Sequence, residues 1–363
     1  YFSPHLVYFN ERIVLNGVPC PEPLLCEAFG KIEKARKKTP LTFFEFTTLA
    51  AFEIFKNHPL DVVILEVGCG GEKDAVNLVS ADLSIITSVG LEHTEWLGKD
   101  VETIGRTKAG IFRQNKPVIL GKKANLQSIL DTAESLQAPV YLEGRDFDWK
   151  DTENSHWEGF GMTLRIPPNA IPSTSVSICL AALELLKGIL PNCDIPYQNL
   201  NQILRTAQMP GRFQKVLGRV ETILDVAHNP DGAEWLQETL LKRHDGKRLM
   251  AVWSSLADKD LEGIVAPLKD LVDTWFIAPI QAERAASIES LEKALKHHEV
   301  QHYQVSESLY EAYKLAERKA KKDDHILVFG SFYTVGEVLR NLESALVGNN
   351  FYQSEVLQKS MVE

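Results

Sequence analysis

Apolar residues fall along the chain in two rhythms. Short unbroken runs of branched side chains predict strands covered on both faces, and apolar positions returning every three to four residues predict helices with one buried face. Strands are expected at Val62 to Val67, Asp82 to Val89, Pro117 to Leu120 and Pro139 to Leu142. Helices are expected at Cys26 to Lys37, Leu41 to Phe55, Val101 to Arg113, Ser173 to Lys187 and Gln198 to Gln208. Asp146 to Asn169 is polar and turn-rich and reads as a hairpin excursion. Met209-Pro210-Gly211-Arg212 is a breaker and marks a domain boundary. Beyond it, strands at Val220 to Val226, Arg248 to Trp253, Thr274 to Ala278 and His325 to Phe329 alternate with helices at Gly232 to Lys242, Leu261 to Leu271, Ser287 to Lys296, Ser306 to Lys321 and Val335 to Ala345. The pattern is that of an α/β protein with two domains, 1–209 and 210–347, and a polar tail, 348–363.

One stretch breaks its own rule. The apolar run from Val62 meets Glu66 and then gives way to Gly68, Gly70 and Gly71. An unpaired buried carboxylate is costly, so at the carboxyl end of a parallel strand Glu66 calls for a cation or a hydrogen-bond network. The glycines allow a tight turn and close approach to a ligand. Their G-x-G-G spacing is not the dinucleotide fingerprint. His93 falls at the end of the next strand; alone it reads as structural, and paired with a carboxylate on a neighbouring strand tip it fits a metal site. Thr42, Phe43, Phe44 and Glu45 set aromatics beside a carboxylate at a helix start, where core packing is the commoner role of phenylalanine.

Composition narrows the classes. With 363 residues, 44% hydrophobic and 24% charged, the chain can bury a sizeable core, and its net charge of −10 argues against broad nucleic-acid binding. No apolar run reaches the length of a membrane span and no secretory signal is visible. Cys20, Cys26, Cys69, Cys179 and Cys193 are scattered without metal-ligand spacing, so a reduced, cytoplasmic protein is expected. The first residue is Tyr1 rather than Met, and part of the amino terminus is expected to lie outside these residues.

Several motifs then coincide in order: SPHL from Ser3, FFEF from Phe43, LEVGCGG followed by DAVN, EHTEWLG from Glu92, KAGIF from Lys108, PGRFQ from Pro210, DVAHNP from Asp225, DKD from Asp258 and GSFYTVGE from Gly330. Together they resemble folylpolyglutamate synthases and the bifunctional dihydrofolate synthases of the Mur ligase superfamily, from Tyr1 to about Ala345. The resemblance implies a P-loop-type mononucleotide-binding domain followed by a Rossmann-like domain. It also implies ATP-dependent amide formation, in which a carboxylate of dihydropteroate or a reduced folate becomes an acyl phosphate and is attacked by the amine of L-glutamate. By resemblance Ser3, Glu66 and His93 hold Mg2+, and Lys108 matches a lysine that is carbamylated in the family. Arg212 matches an arginine that reaches the ATP phosphates, and Asp225 and His228 match contacts to ribose and base. Thr42 to Glu45 and Lys73, Asp74 and Ala75 match the segments that hold the pterin, on whose ring Phe43 or Phe44 can stack. A monomer is expected, with no nucleic-acid or membrane partner.

This chain departs from the family pattern at several positions. No GK[ST] phosphate loop occurs in the 363 residues; in the family it lies shortly upstream of SPHL. Glu72 stands where arginine is usual, Val76 for threonine, Glu92 for aspartate and Ser175 for asparagine. The charge reversal at Glu72 alters the pterin segment. A cell-wall Mur ligase is disfavoured by FFEF and DAVNLV, while the missing loop motivates a rival reading as an inactive nucleotide-binding relative.

Overall fold

A computed structural model describes residues 1–91, 94–150, 155–167, 169, 171–190, 195–243 and 246–345. The chain divides into two compact units. One joins Tyr1–Pro4 to Asn10–Ala207, and the other joins His5–Phe9 to the chain from Gln208 onward.

The first unit opens with two short antiparallel strands, β1 (Val14–Leu15) and β2 (Val18–Pro19), and two helices, α1 (Glu22–Arg36) and α2 (Phe43–Lys56). Its central sheet is parallel, in the order β3 (Ser84–Ile86), β4 (Val118–Leu120), β5 (Val140–Leu142). Helices α3 (Thr94–Leu97) and α4 (Val101–Ala109) lead from β3 to β4, and α5 (Gln127–Ser135) leads from β4 to β5. Alternate side chains of β4 supply two cores, as the two-residue period of a strand requires. Val118 and Leu120 pack with Ile104 and Ile129, whereas Ile119 packs with Trp157 and Ile178. The second core is completed by an antiparallel sheet, β6 (Phe147–Lys150), β7 (His156–Gly159) and β8 (Met162–Arg165), and by α6 (Ser173–Lys187) and α7 (Tyr197–Thr206).

One expected strand is corrected. Val62 to Val67 forms no strand; Val62, Val63 and Ile64 are open to solvent, Ile64 being 79% exposed, and Leu65 and Val67 are half-buried. Among the described residues, its backbone makes ladder-type bonds only to Tyr1, and no layer covers the branched side chains. Branching favours an extended backbone, but a strand also needs paired edges and packed faces. The run expected from Asp82 to Val89 likewise contracts to β3.

In the second unit a six-stranded sheet runs β13 (Tyr303–Val305), β12 (Thr274–Ile277), β11 (Leu249–Trp253), β14 (His325–Phe329), β10 (Glu221–Asp225), β9 (Gln214–Val216). All pairs are parallel except the edge pair β10 and β9. Strands β9 and β13, of three residues each, are too short to show a period in the sequence. Helices α8 (Pro230–Arg243), α9 (Leu261–Val265) and α10 (Ile288–His297) cover one face, and α11 (Leu309–Lys319) and α12 (Phe332–Ala345) the other. The chain leaves β10 toward α8 and leaves the adjacent β14 toward α12, on opposite faces. In such sheets the crevice that opens between the two strand ends is where ligands bind.

Candidate active site

Ser3 and Glu66, distant in sequence, are brought together. The Tyr1 nitrogen donates to the Ile64 carbonyl at 2.8 Å, and the Glu66 N–H donates back to the Tyr1 carbonyl at 2.9 Å. This register sets the Ser3 N–H 2.9 Å from Glu66 Oε2. The buried Tyr1 ring anchors the segment, its hydroxyl 2.9 Å from Thr47 Oγ1 on α2. Oxygen donors of this type suit Mg2+. The third expected ligand, His93, lies with Glu92 outside the described residues.

The glycine turn is packed on two sides. A Cβ at Gly68 would stand 2.6 Å from the Phe44 ring, and one at Gly71 would stand 2.8 Å from the carbonyls of Thr107 and Lys108. The turn therefore lies against the last turn of α4, which carries Lys108. Glu72 N–H donates to the Thr107 carbonyl at 3.0 Å, and Asn77 Nδ2 donates to the carbonyls of Glu72 and Gly110. Among the described residues, the half-buried Lys108 has no carboxylate partner. Asp74 holds the turn from within. Its Oδ2 accepts from the N–H groups of Gly68 at 3.0 Å and Cys69 at 2.9 Å, and Oδ1 accepts from Val76 at 2.9 Å.

Beside the turn lies a cleft of about 400 Å3 between α2 and residues 72–78. Glu45, Thr48 and Leu49, which share a face of α2, form one wall together with Leu41, which precedes the Thr42 cap. Glu72, Lys73, Asp74 and Ala75 form the other. Glu45 and the 73–75 segment are thus united as expected. Thr42, Phe43 and Phe44 are absent from the walls. Thr42 caps α2, its hydroxyl accepting from Glu45 N–H while the Glu45 carboxylate accepts from Thr42 N–H at 2.7 Å. These bonds hold the Glu45 carboxyl below the usual carboxylate range, the Thr42 N–H contributing most and its hydroxyl next. Phe43 is 61% exposed, with the Arg12 guanidinium 5.2 Å from its ring centre, and Phe44 serves the glycine turn. Leu41, Thr48, Leu49 and Glu72 were not expected at this site. The four-residue spacing of 41, 45 and 49 was the available signal.

The second unit gathers the remaining expected residues at the crevice between β10 and β14. Asp225, 2% exposed at the end of β10, accepts from the N–H groups of Phe213 and Ala227, both at 2.8 Å. Burial pushes its carboxyl up, against those two bonds and the Arg212 charge. Its carboxylate thereby fixes both the PGR turn and the loop that carries His228. His228 Nδ1 donates to the Val226 carbonyl at 2.9 Å, and its ring lies 6.3 Å from that of Phe332 at the start of α12. The Arg212 guanidinium lies 5.6 Å from the same Phe332 ring centre. Phe332 was not expected as a site residue, though it sits in the GSFYTVGE motif.

Comparison with known proteins accords with this geometry. Residues 211–332 match the family described as Mur ligase, glutamate ligase domain. The chain is 38% identical over 351 residues to the dihydrofolate synthase/folylpolyglutamate synthase of Escherichia coli K12, covering 96% of this chain and 81% of that protein. The structure of Escherichia coli FolC in complex with DHPP and ADP is similar, with a TM-score of 0.87 at 38% identity, covering 95% of this chain and 82% of that one. A bifunctional folylpolyglutamate synthase/dihydrofolate synthase from Yersinia pestis, complexed with AMPPNP and a Mn ion, gives a TM-score of 0.86 at 37% identity, covering 94% and 81%. The chain belongs to the dihydrofolate synthase/folylpolyglutamate synthase family.

Proposed function

We propose that this protein is an ATP-dependent ligase that joins L-glutamate to dihydropteroate and to reduced folates through an acyl phosphate. The observation that carries the proposal is the convergence, in one unit, of a ring-sized cleft, a glycine turn and the Lys108 end of α4. Relatives bound to DHPP with ADP, and to AMPPNP with Mn, support it. The cleft holds the flat ring system and orients the carboxylate of the substrate. That carboxylate takes the terminal phosphoryl group of ATP and releases ADP; the glutamate amine then attacks the acyl carbon and expels phosphate. Arg212 and His228 offer accessible groups to the nucleotide, and buried Asp225 acts by holding their loops. Ser3 and Glu66, with His93, would hold Mg2+, which neutralises phosphate charge when bound. Lys108 completes the site beside the glycine turn. No described helix is long and apolar enough to cross a membrane. The described cysteines Cys20, Cys26, Cys69 and Cys179 form no disulfide. Thiols outside disulfides fit a reducing compartment such as the cytoplasm.

The test is phosphate release by the full-length protein with ATP and Mg2+. Release should require dihydropteroate and L-glutamate together, and should also occur with tetrahydrofolate and L-glutamate. Turnover with tetrahydrofolate alone would reduce the assignment to polyglutamylation; turnover with neither would overturn it.

A further inference from the structure

The GSFYTVGE motif forms the head of α12, and its backbone is pinned to the end of β11. A Cβ at Gly330, whose φ is +113°, would stand 2.2 Å from the Ser254 carbonyl, so the chain passes there only as glycine. The Thr334 hydroxyl donates to the same carbonyl at 2.9 Å, and Ser331 Oγ accepts from the Thr334 N–H at 3.0 Å. Ser254, Ser331 and Thr334 are all buried. Phe332 therefore leaves a fixed backbone, and its side chain is half-buried. Arg212 is the opposite case. It is long and exposed, and among the described residues its guanidinium makes no hydrogen bond or ion pair. Its guanidinium carbon lies over the Phe332 ring, 5.6 Å from the centre, within the range of a cation–π contact. The His228 ring, tied through Nδ1 to the Val226 carbonyl, lies 6.3 Å from the same ring. An anchored aromatic ring thus has an anchored imidazole as one neighbour and an otherwise untethered cation as another.

We propose that Phe332 is a positioning residue for nucleotide binding, its ring holding the Arg212 guanidinium in place for the phosphates of ATP; the inference rests on the nucleotide role given to Arg212 above. An untethered arginine side chain loses rotamer freedom when it grips a phosphate, and that loss weakens binding. A guanidinium already held by an aromatic face has lost that freedom before ATP arrives. The ring attracts the cation over its face but engages none of its N–H donors, which stay available for bidentate bonds to phosphate oxygens. An aliphatic side chain of similar bulk fills the same space and offers the cation no negative face.

Calorimetric titration of the full-length protein with ATP and Mg2+ tests this directly. Phe332→Leu should weaken ATP binding about two- to fivefold, the loss expected of a solvent-exposed cation–π contact, and Phe332→Tyr should keep the wild-type affinity. Phe332→Met, a second aliphatic variant, should behave as Phe332→Leu, and unchanged thermal unfolding establishes that each variant is folded. In an Arg212→Met background, Phe332→Leu should have little further effect, which a merely structural role of the ring would not produce. Wild-type ATP affinity in both aliphatic variants, or a loss from Phe332→Leu that is as large in the Arg212→Met background as without it, overturns the inference and leaves the proposed function standing. Unchanged ATP affinity in Arg212→Met overturns the nucleotide role of Arg212 and the inference with it. A wild type that does not bind ATP overturns the proposed function as well.

Discussion

Asp74 and Asp225 stand at loop corners in different units, and each gives its carboxylate to main-chain donors. In the sequence both look like ligand contacts. In the fold they are the groups that hold ligand-binding loops in shape. Their environments differ: burial pushes the Asp225 carboxyl up even though two N–H groups and Arg212 oppose the shift. A raised folded value means that the native state binds this proton more tightly than the unfolded chain does. Its contribution is therefore complete below the unfolded value of about 4 and is lost as pH rises through the folded value. Asparagine cannot ionise. Urea unfolding of wild type and Asp225→Asn across a pH series should show the wild-type advantage shrinking as pH rises above 4; a constant difference would mean that the buried carboxyl titrates normally.

At the scale of elements, α2 organises the first unit by its register. Glu45, Thr48 and Leu49 line the cleft, while the Tyr1 hydroxyl bonds to Thr47 Oγ1 and accepts from the Thr48 hydroxyl. Phe44, on a different side, lies over Gly68. Shifting this helix by one position would disturb the cleft, the anchor of the Ser3 segment and the glycine turn together. The register is set at Thr42. Thr42→Ala should cost about 1 kcal/mol of stability through loss of the cap. It should also raise KM for dihydropteroate, because Glu45 loses the Thr42 hydroxyl and keeps only the backbone bond, with Thr42→Ser restoring both. A stability loss with unchanged KM would separate the cap from the cleft.

The chain as a whole is interleaved, since His5–Phe9 belongs with a unit that otherwise begins at Gln208. Leu6 and Val7 are buried in its core, and the Leu6 side chain would meet a Cβ at Gly211 at 3.0 Å. At Gly336 on α12, an added Cβ would stand 2.3 Å from the Leu6 carbonyl. This strap thus supports the turn that carries Arg212. Leu6→Ala should destabilise the protein by about 2–5 kcal/mol in urea unfolding, the range for buried leucine truncations. It should also raise KM for ATP. An unaltered KM would show that the PGR turn holds its shape without the strap.

Local pattern determined most of the elements. Helical period and breakers located the helices, and unbroken apolar runs located four of the strands in the second sheet, because those signals lie within a few residues of one another. Motif order carried the family. What the pattern could not determine was which surfaces meet. The run at Val62 has the side chains of a buried strand, but burial depends on partners elsewhere in the chain, and here it lies open. Phe43 and Phe44 sit beside Glu45 in sequence, yet the cleft takes Glu45 alone, because neighbours in a helix point about 100° apart. Glu72 looked like a local departure from a motif. Only the folded chain sets it across from Leu41 and Leu49, beside a carboxylate already committed to backbone.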